Sequence, residues 1–158
     1  MPVAVRRAGS EDAAAVARFA LRLFAQHRDY DPQRFADLSN ASGAERYYSS
    51  RIDTDVSAVL VAETESGVIG FAYLEFESLD YAQLLENAVW LHDLYVDESA
   101  RGTGAGKALI EAAIDAGRRF GADKLVLSVA AKNQYARSFF KETGFRETMV
   151  EMTIGLND

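Results

Sequence analysis

Apolar side chains recur along the chain with two different periods, and the switching between them lays out the elements. Val3 to Arg7 alternates as a short strand. Ser10 then stands as a helix N-cap with Glu11 and Asp12 in the first turn, and Val16, Phe19, Ala20, Leu23 and Phe24 fall on one helical face. Pro32 opens a second helical region that carries Phe35, Tyr47, Tyr48 and Ile52 and is interrupted near Ser42-Gly43. Ala58 to Glu63 and Val68 to Glu77, rich in Val, Ile, Phe and Tyr and joined by Glu65-Ser66-Gly67, read as a hairpin. Val89 to Val96 is a further strand that runs into a glycine-rich segment, and Ala108, Leu109, Ala112, Ala113 and Phe120 mark a helix ending at Gly121. Leu125 to Val129 has the nearly unbroken apolar character of a strand covered on both faces, and Asn133 to Thr143 reads as a helix closed by Gly144. Arg146 to Ile154 supplies a last strand. This order, with its internal hairpin, predicts a mixed α/β sheet covered by helices instead of a regular doubly wound parallel sheet.

Composition narrows the picture. A chain of 158 residues, 49% apolar, suits one domain with a proper core, and no repeat, low-complexity tract or linker divides residues 1–158. No stretch approaches the roughly 18 to 20 apolar residues of a membrane span, and the N-terminus lacks the layout of a signal peptide, so a soluble, cytoplasmic protein is expected. The absence of cysteine excludes disulfides, thiolate metal sites and cysteine nucleophiles; with His27 and His92 the only histidines, no metal site is expected. A net charge of -7 argues against nucleic acid as a partner. Glu75, Glu77, Asp80, Glu86, Asp93, Asp97 and Glu98 fall in one stretch without lysine or arginine, a field that suits a cationic substrate, although a solvated acidic face is the commoner meaning of such a run.

The segment Arg101-Gly102-Thr103-Gly104-Ala105-Gly106-Lys107 lies where the strand hands over to a helix. It is not a dinucleotide fingerprint, because the third required glycine falls on Lys107. Nor is it a Walker A loop, which would need glycine at Arg101 and Ser or Thr at Ala108. What survives is a backbone unshielded by side chains at a helix N-terminus, bracketed by two cations: a cradle for a diphosphate, with a plain tight turn as the simpler alternative.

Arg101, Gly104 and Gly106 match the Arg/Gln-x-x-Gly-x-Gly/Ala signature of the GNAT N-acetyltransferase family. Leu91-His92-Asp93-Leu94-Tyr95-Val96-Asp97 resembles that family's fourth strand, and Asn133 with Ala136, Phe139, Gly144 and Phe145 resembles its Asn-x-x-Ala motif and closing Gly-Phe. The resemblance covers nearly the whole chain, is strongest from Val89 to Phe145, and leans towards members acting on polyamines and other small amines. It implies a mostly antiparallel mixed sheet of roughly six to seven strands with four flanking helices, splayed between the fourth and fifth strands, and a homodimer.

The resemblance also implies roles. The pantetheine arm of acetyl-CoA would pair with the backbone of Leu94, Tyr95 and Val96, the pyrophosphate would rest on residues 102 to 107 beside Arg101, and Asn133 with Tyr135 and Ala136 would border the arm. An amine acceptor must lose a proton before it attacks, and His92, standing where polyamine-type relatives carry glutamate, is the first candidate base. Asp93 is the second, although strand alternation sets it on the opposite face. Many members use a tyrosine to protonate the leaving thiolate; here that position is Phe140, and neither Tyr135 nor Ser138 has the spacing to replace it. Phe24, His27, Tyr30 and Asp31 fall in the region that lines the acceptor cleft in relatives. The expected acceptor is a small cationic amine, a polyamine or a basic amino acid, or else a protein amine. A non-catalytic acyl-CoA-binding module, to which Phe140 would be suited, and a nucleotide-binding protein using the glycine loop are the competing readings.

Overall fold

The computed structural model describes residues 2–157. Strands β1 (Ala4–Arg7), β2 (Ser57–Thr64), β3 (Gly67–Asp80), β4 (Leu85–Val96) and β5 (Lys124–Val126) lie side by side in chain order. The first four pair antiparallel, β2 to β3 and β3 to β4 through short links and β1 to β2 across the segment that holds two helices, whereas β5 returns through a helical crossover and pairs parallel to β4. Gly67, at φ +116°, makes the tight β2–β3 turn that a residue with a Cβ would resist.

Helices cover both faces, and alternation along β2 and β3 divides the core between them. Val59, Val61, Phe71 and Tyr73 pack with α1 (Ala13–Tyr30) and α2 (Ala41–Ser49). Leu60, Ala62, Ala72 and Leu74 face α3 (Ala105–Arg119), with Phe139 and Phe140 of α4 (Gln134–Glu142) against the same cluster. On α1 the buried stripe is Val16, Phe19, Ala20 and Leu23, as the 3.6-residue period predicts. Burial of each large apolar side chain of this kind contributes about 1.5–3 kcal/mol.

Several local expectations are corrected. Ser10 does not cap α1: Ser10–Asp12 forms a 3-10 turn, and the Asp12 carboxylate accepts the Gly9 N–H at 2.7 Å. The helix expected from Pro32 begins only at Ala41, where the Asn40 side chain accepts the Gly43 N–H, so Ser42-Gly43 is a first turn and not a break. The sheet has five strands among the described residues, not six or seven: Leu127 to Val129 lie beyond the last β5 pair, and Arg146 to Ile154 enter no ladder. Strand composition in these two stretches has no hydrogen-bonding neighbour to act on. No described helix is long and apolar enough to cross a membrane, and no described cluster of His, Asp and Glu could hold a metal ion.

The start of α1 is pinned electrostatically. The Arg6 guanidinium donates to both oxygens of buried Asp12, at 2.7 and 3.1 Å, and to both oxygens of Glu63 on β2, at 3.0 and 3.1 Å. Its hydrogen bonds hold the Asp12 carboxyl below the usual carboxylate range. A carboxyl so lowered contributes stability that is complete above about pH 4 and is lost as pH falls through its folded titration. Asp12→Ala is therefore expected to cost about 1–3 kcal/mol at neutral pH, with a shallower decline in acid than the wild type, measured by urea unfolding across pH.

Candidate active site

The strands part where the chemistry is expected. β4 and β5 pair only through Ala88 with Lys124, Val89 with Leu125 and Trp90 with Val126. Residues 91–96 of β4 then bond β3 alone and leave their other edge free. The Asp97 N–H donates to the Ile69 carbonyl at 2.7 Å on the β3 side, so alternation turns the N–H groups of Val96 and Leu94 towards the free edge.

At the end of that edge the chain makes the glycine turn. Gly102 and Gly104 have φ of +80° and +88°, and no atom lies within 4 Å of where a Cβ would stand on either. Glycine is needed there for backbone conformation, and the space in front stays open. Gly104 is the N-cap of α3 and no side chain caps the helix, which leaves the amides of residues 105–107 pointing outward at the positive end of the helix dipole. Gly106 serves differently: a Cβ would stand 3.3 Å from Cζ of Phe139, so its bareness lets α4 close on α3. Thr103 Oγ1 donates to the Ala100 carbonyl at 2.6 Å and braces the turn. Arg101 and Lys107 are exposed; the Arg101 guanidinium lies 6.0 Å from the Tyr95 ring centre and its Nε reaches the Val96 carbonyl at 3.4 Å. Outward amides, open glycines and two cations form a donor set that fits a diphosphate.

Beside the gap, β4 carries a bulge. Tyr73 pairs with Asp93 and Leu74 with Leu91, so His92 is an extra residue without an opposite number. Val89 and Leu91 face α3, as do Leu94 and Val96 beyond the bulge. The extra residue resets the alternation and brings His92 and Asp93 to the same face, that of α1 and α2, contrary to the expectation of opposite faces. The His92 ring stacks on Tyr73 at 5.3 Å and on Trp90 at 6.0 Å. It is exposed, and its nitrogens bond to nothing among the described residues. Asp93 Oδ2 accepts the Tyr48 hydroxyl at 2.6 Å, and the Tyr48 and Tyr73 rings meet edge to face at 5.8 Å. Burial pushes the Asp93 carboxyl above the usual carboxylate range, opposed by the Tyr48 hydrogen bond and the charges of His92 and His27. Burial also raises both phenols, Tyr48 and Tyr73, so each remains a donor at neutral pH.

Residues 21–145 match the model of the acetyltransferase (GNAT) family. The chain belongs to the GNAT acetyltransferase family. Over 145 residues it is 34% identical to YhfO of Bacillus subtilis (strain 168), an uncharacterized N-acetyltransferase, in an alignment covering 90% of this chain and 89% of YhfO. It is 30% identical over 146 residues to the mycothiol acetyltransferase of Sanguibacter keddieii, spanning 92% of this chain but 44% of that enzyme. Among solved structures, a mutant of the BH1408 protein from Bacillus halodurans superposes with a TM-score of 0.84 at 24% identity, covering 98% of this chain and 99% of that one. The protein is an acyltransferase, and members of its family take the acetyl group from acetyl-CoA.

Within this GNAT fold the remaining residues named from sequence scatter. Asn133 caps α4, its Oδ1 accepting the Ala136 N–H at 3.1 Å, which leaves its Nδ2 free to donate. Tyr135 is 77% exposed. Phe140 is held between Phe139 and Phe145, at 5.5 and 5.7 Å, so the position lacks a hydroxyl and is filled by packing. Of the four acceptor-side residues, His27 alone bears on Asp93. Its Nδ1 donates to the Leu23 carbonyl at 2.8 Å. Tyr30 bonds Gln26, and Asp31 closes the end of α1, its N–H on the His27 carbonyl. Phe24 lines a cavity of about 90 Å³ between α1 and residues 36–39 that includes no residue of β4.

Tyr48, Tyr73 and Trp90 are the candidate-site residues that sequence reasoning missed, and Glu75, read only as part of an acidic run, joins them. Tyr48 and Tyr73 read as core aromatics, and only the bulge shows that they frame His92 and Asp93. Glu75 pairs across the sheet with Trp90, on the His92 face, and accepts the Tyr73 hydroxyl at 2.5 Å. The acidic run divides in space: Asp97 is bound to Arg22 at 2.8 Å, whereas Glu75 and Glu77 stay on the face beside Trp90.

Proposed function

We propose that this acetyltransferase binds acetyl-CoA along the free edge of β4 and acetylates a small cationic primary amine, a polyamine or basic amino acid, held on the α1–α2 face beside His92. The observation that carries the reading is one of position: an exposed imidazole with unengaged nitrogens stands where β4 loses β5, a few residues before a turn built to hold a diphosphate. The amides of residues 102–107, with Arg101 and Lys107, take the diphosphate; Leu94 and Val96 offer backbone groups to the pantetheine arm; Asn133 Nδ2 borders it.

Acetyl-CoA supplies the acetyl group as a thioester. The Val96 N–H donates to its carbonyl as negative charge develops there. His92 accepts one proton of the ammonium, directly or through water; the freed lone pair forms the C–N bond as the C–S bond breaks, and the second proton of the nitrogen passes through water to the departing thiolate. Asp93, half-buried beside His92 and donated to by Tyr48, balances the positive charge that His92 acquires. Phe140 gives the departing sulfur no proton, which a thiolate tolerates because thiols titrate near ~8.5, far below alcohols. Glu75, Glu77 and the faces of Trp90 and Tyr73 favour a cation over an anion in the acceptor cleft. The unengaged His92 beside the gap supports an active enzyme over a non-catalytic acyl-CoA-binding module.

The test is a thiol-release assay with acetyl-CoA against polyamines, basic and acidic amino acids, aminoglycosides and lysine peptides, beside a thermal-shift titration. Stabilisation by acetyl-CoA and turnover confined to cationic amines are expected. No stabilisation at millimolar acetyl-CoA overturns the donor assignment, and preference for acidic amines overturns the acceptor class.

A further inference from the structure

Arg51 stands just past the end of α2 and folds back one helical turn, so its guanidinium lies 3.7 Å from the centre of the Tyr47 ring. Its Nη1 donates to the Tyr47 carbonyl at 3.1 Å and to Ser50 Oγ at 2.8 Å. Nε and Nη2 donate to nothing among the described residues, and no described carboxylate lies within 4.0 Å of the group. In a chain of net charge -7, a half-buried guanidinium is thus held in place by one nitrogen and keeps a parallel pair of donors unmet. Such a pair matches the two oxygens of a carboxylate.

Glu75 is the complementary charge. It too is half-buried, accepts only the Tyr73 hydroxyl at 2.5 Å, and has no described cation within 4.0 Å. Two separate routes bring it to the neighbourhood of Arg51. The Tyr47 ring, under the guanidinium, meets the Tyr73 ring edge to face at 5.9 Å. On the sheet, Ser57 pairs with Glu75 while its Oγ donates to the Arg51 carbonyl at 2.9 Å. The two charges are nonetheless tied by neutral groups and not by each other. They flank Tyr73, whose ring stacks on His92 at 5.3 Å.

We propose that Arg51 and Glu75 together read the head of an α-amino acid, Arg51 taking the carboxylate through Nε and Nη2 and Glu75 the α-ammonium, so that the acceptor is a lysine-like amino acid acetylated on its side-chain amine. The charges of an amino-acid head are only two bonds apart, whereas ring contacts of 5.9 and 5.3 Å separate Tyr47 from His92. An α-amine held beside Arg51 stops short of the imidazole; the extended side chain supplies the reach. A polyamine leaves the Arg51 donors unmet and sets a second cation beside them. The inference rests on the acetyltransfer reading above for the place of the reacting amine, and narrows its acceptor. The transfer is the one already described, with the C–N bond formed on the side-chain nitrogen and the thiol of CoA released.

Calorimetric titration of the CoA-bound protein reads recognition without turnover, and thiol release with acetyl-CoA reads the chemistry. The probes are lysine, cadaverine, which lacks the carboxylate, and 6-aminohexanoate, which lacks the α-amine. Lysine is expected to bind at least about tenfold more tightly than either. Arg51→Gln should reduce the preference for lysine over cadaverine to within about threefold, and Glu75→Gln the preference over 6-aminohexanoate, each variant keeping the other preference and its circular dichroism. The product from lysine should carry the acetyl group on the side-chain nitrogen alone. Equal binding of cadaverine and lysine by the wild type, a preference that survives Arg51→Gln, or acetylation of the α-amine overturns the proposal and leaves the acetyltransfer reading in place. Arg51-dependent lysine binding without turnover of any amine does the reverse, supporting the recognition and overturning the catalytic reading. Failure of all three probes to bind overturns the proposal.

Discussion

Gly104→Glu is expected to weaken acetyl-CoA binding by at least about 100-fold, close to 3 kcal/mol at 1.4 kcal/mol per factor of ten. The effect has two separable parts. Gly104 stands at φ +88°, where a side chain costs roughly 1–2 kcal/mol of backbone strain, partly offset in the free protein because a carboxylate at a helix N-terminus complements the dipole. The larger part falls on the ligand. The new carboxylate occupies the open space before the amides of residues 105–107 and presents negative charge to a diphosphate. Gly104→Ala carries the strain without the charge and should lose no more than about tenfold. Calorimetric titration of both variants separates the terms, and unchanged affinity in Gly104→Glu would mean that the segment is only a turn.

His92→Gln should lower kcat by about 10²–10⁴ and remove the acidic limb of the pH–rate profile, with affinity for acetyl-CoA preserved. Glutamine keeps a polar group between Tyr73 and Trp90 but cannot take a proton at neutral pH. An unchanged profile would return His92 to a purely structural role. Asp93→Asn isolates the charge behind it. Asparagine can still accept from Tyr48, so the packing survives. Burial raises the Asp93 carboxyl, so its effect on stability is fully favourable only below the ordinary carboxylate range and is lost as pH rises through its folded titration. The variant should be more stable than the wild type at neutral and alkaline pH, by melting temperature, and slower in turnover. A site that sacrifices stability for function behaves in this way. Loss of stability without loss of rate would make Asp93 a structural partner of Tyr48 alone.

Much of this was legible before any coordinates. The α1 stripe from Val16 to Leu23 is a packing demand written in period 3.6, and the hairpin through Gly67 is a turn requirement; both depend on near neighbours in sequence. Gly102 and Gly104 were legible for the same reason, since left-handed backbone restricts the residue type at that very position. Gly106 shows the limit of local reading. Its bareness answers to Phe139, on a different helix, and nothing within the glycine segment says so. The strands expected at 127–129 and 146–154 failed in a related way: strand propensity describes a surface that fits a sheet, and a partner must exist for it to become one.

The sequence by itself determined the order of elements from β1 to α4, the mixed α/β class and the glycine turn, because each rests on residue types at short or regular spacing, and its motifs carried the family and the splay that the resemblance implies. Tertiary structure alone decided the placement of His92 and Asp93. A one-residue bulge in β4, invisible in composition and period, turns both side chains to one face and surrounds them with Tyr48, Tyr73 and Trp90, drawn from three elements. Register belongs to the pairing of β3 with β4, and a shift of one residue changes which side of the sheet a side chain serves.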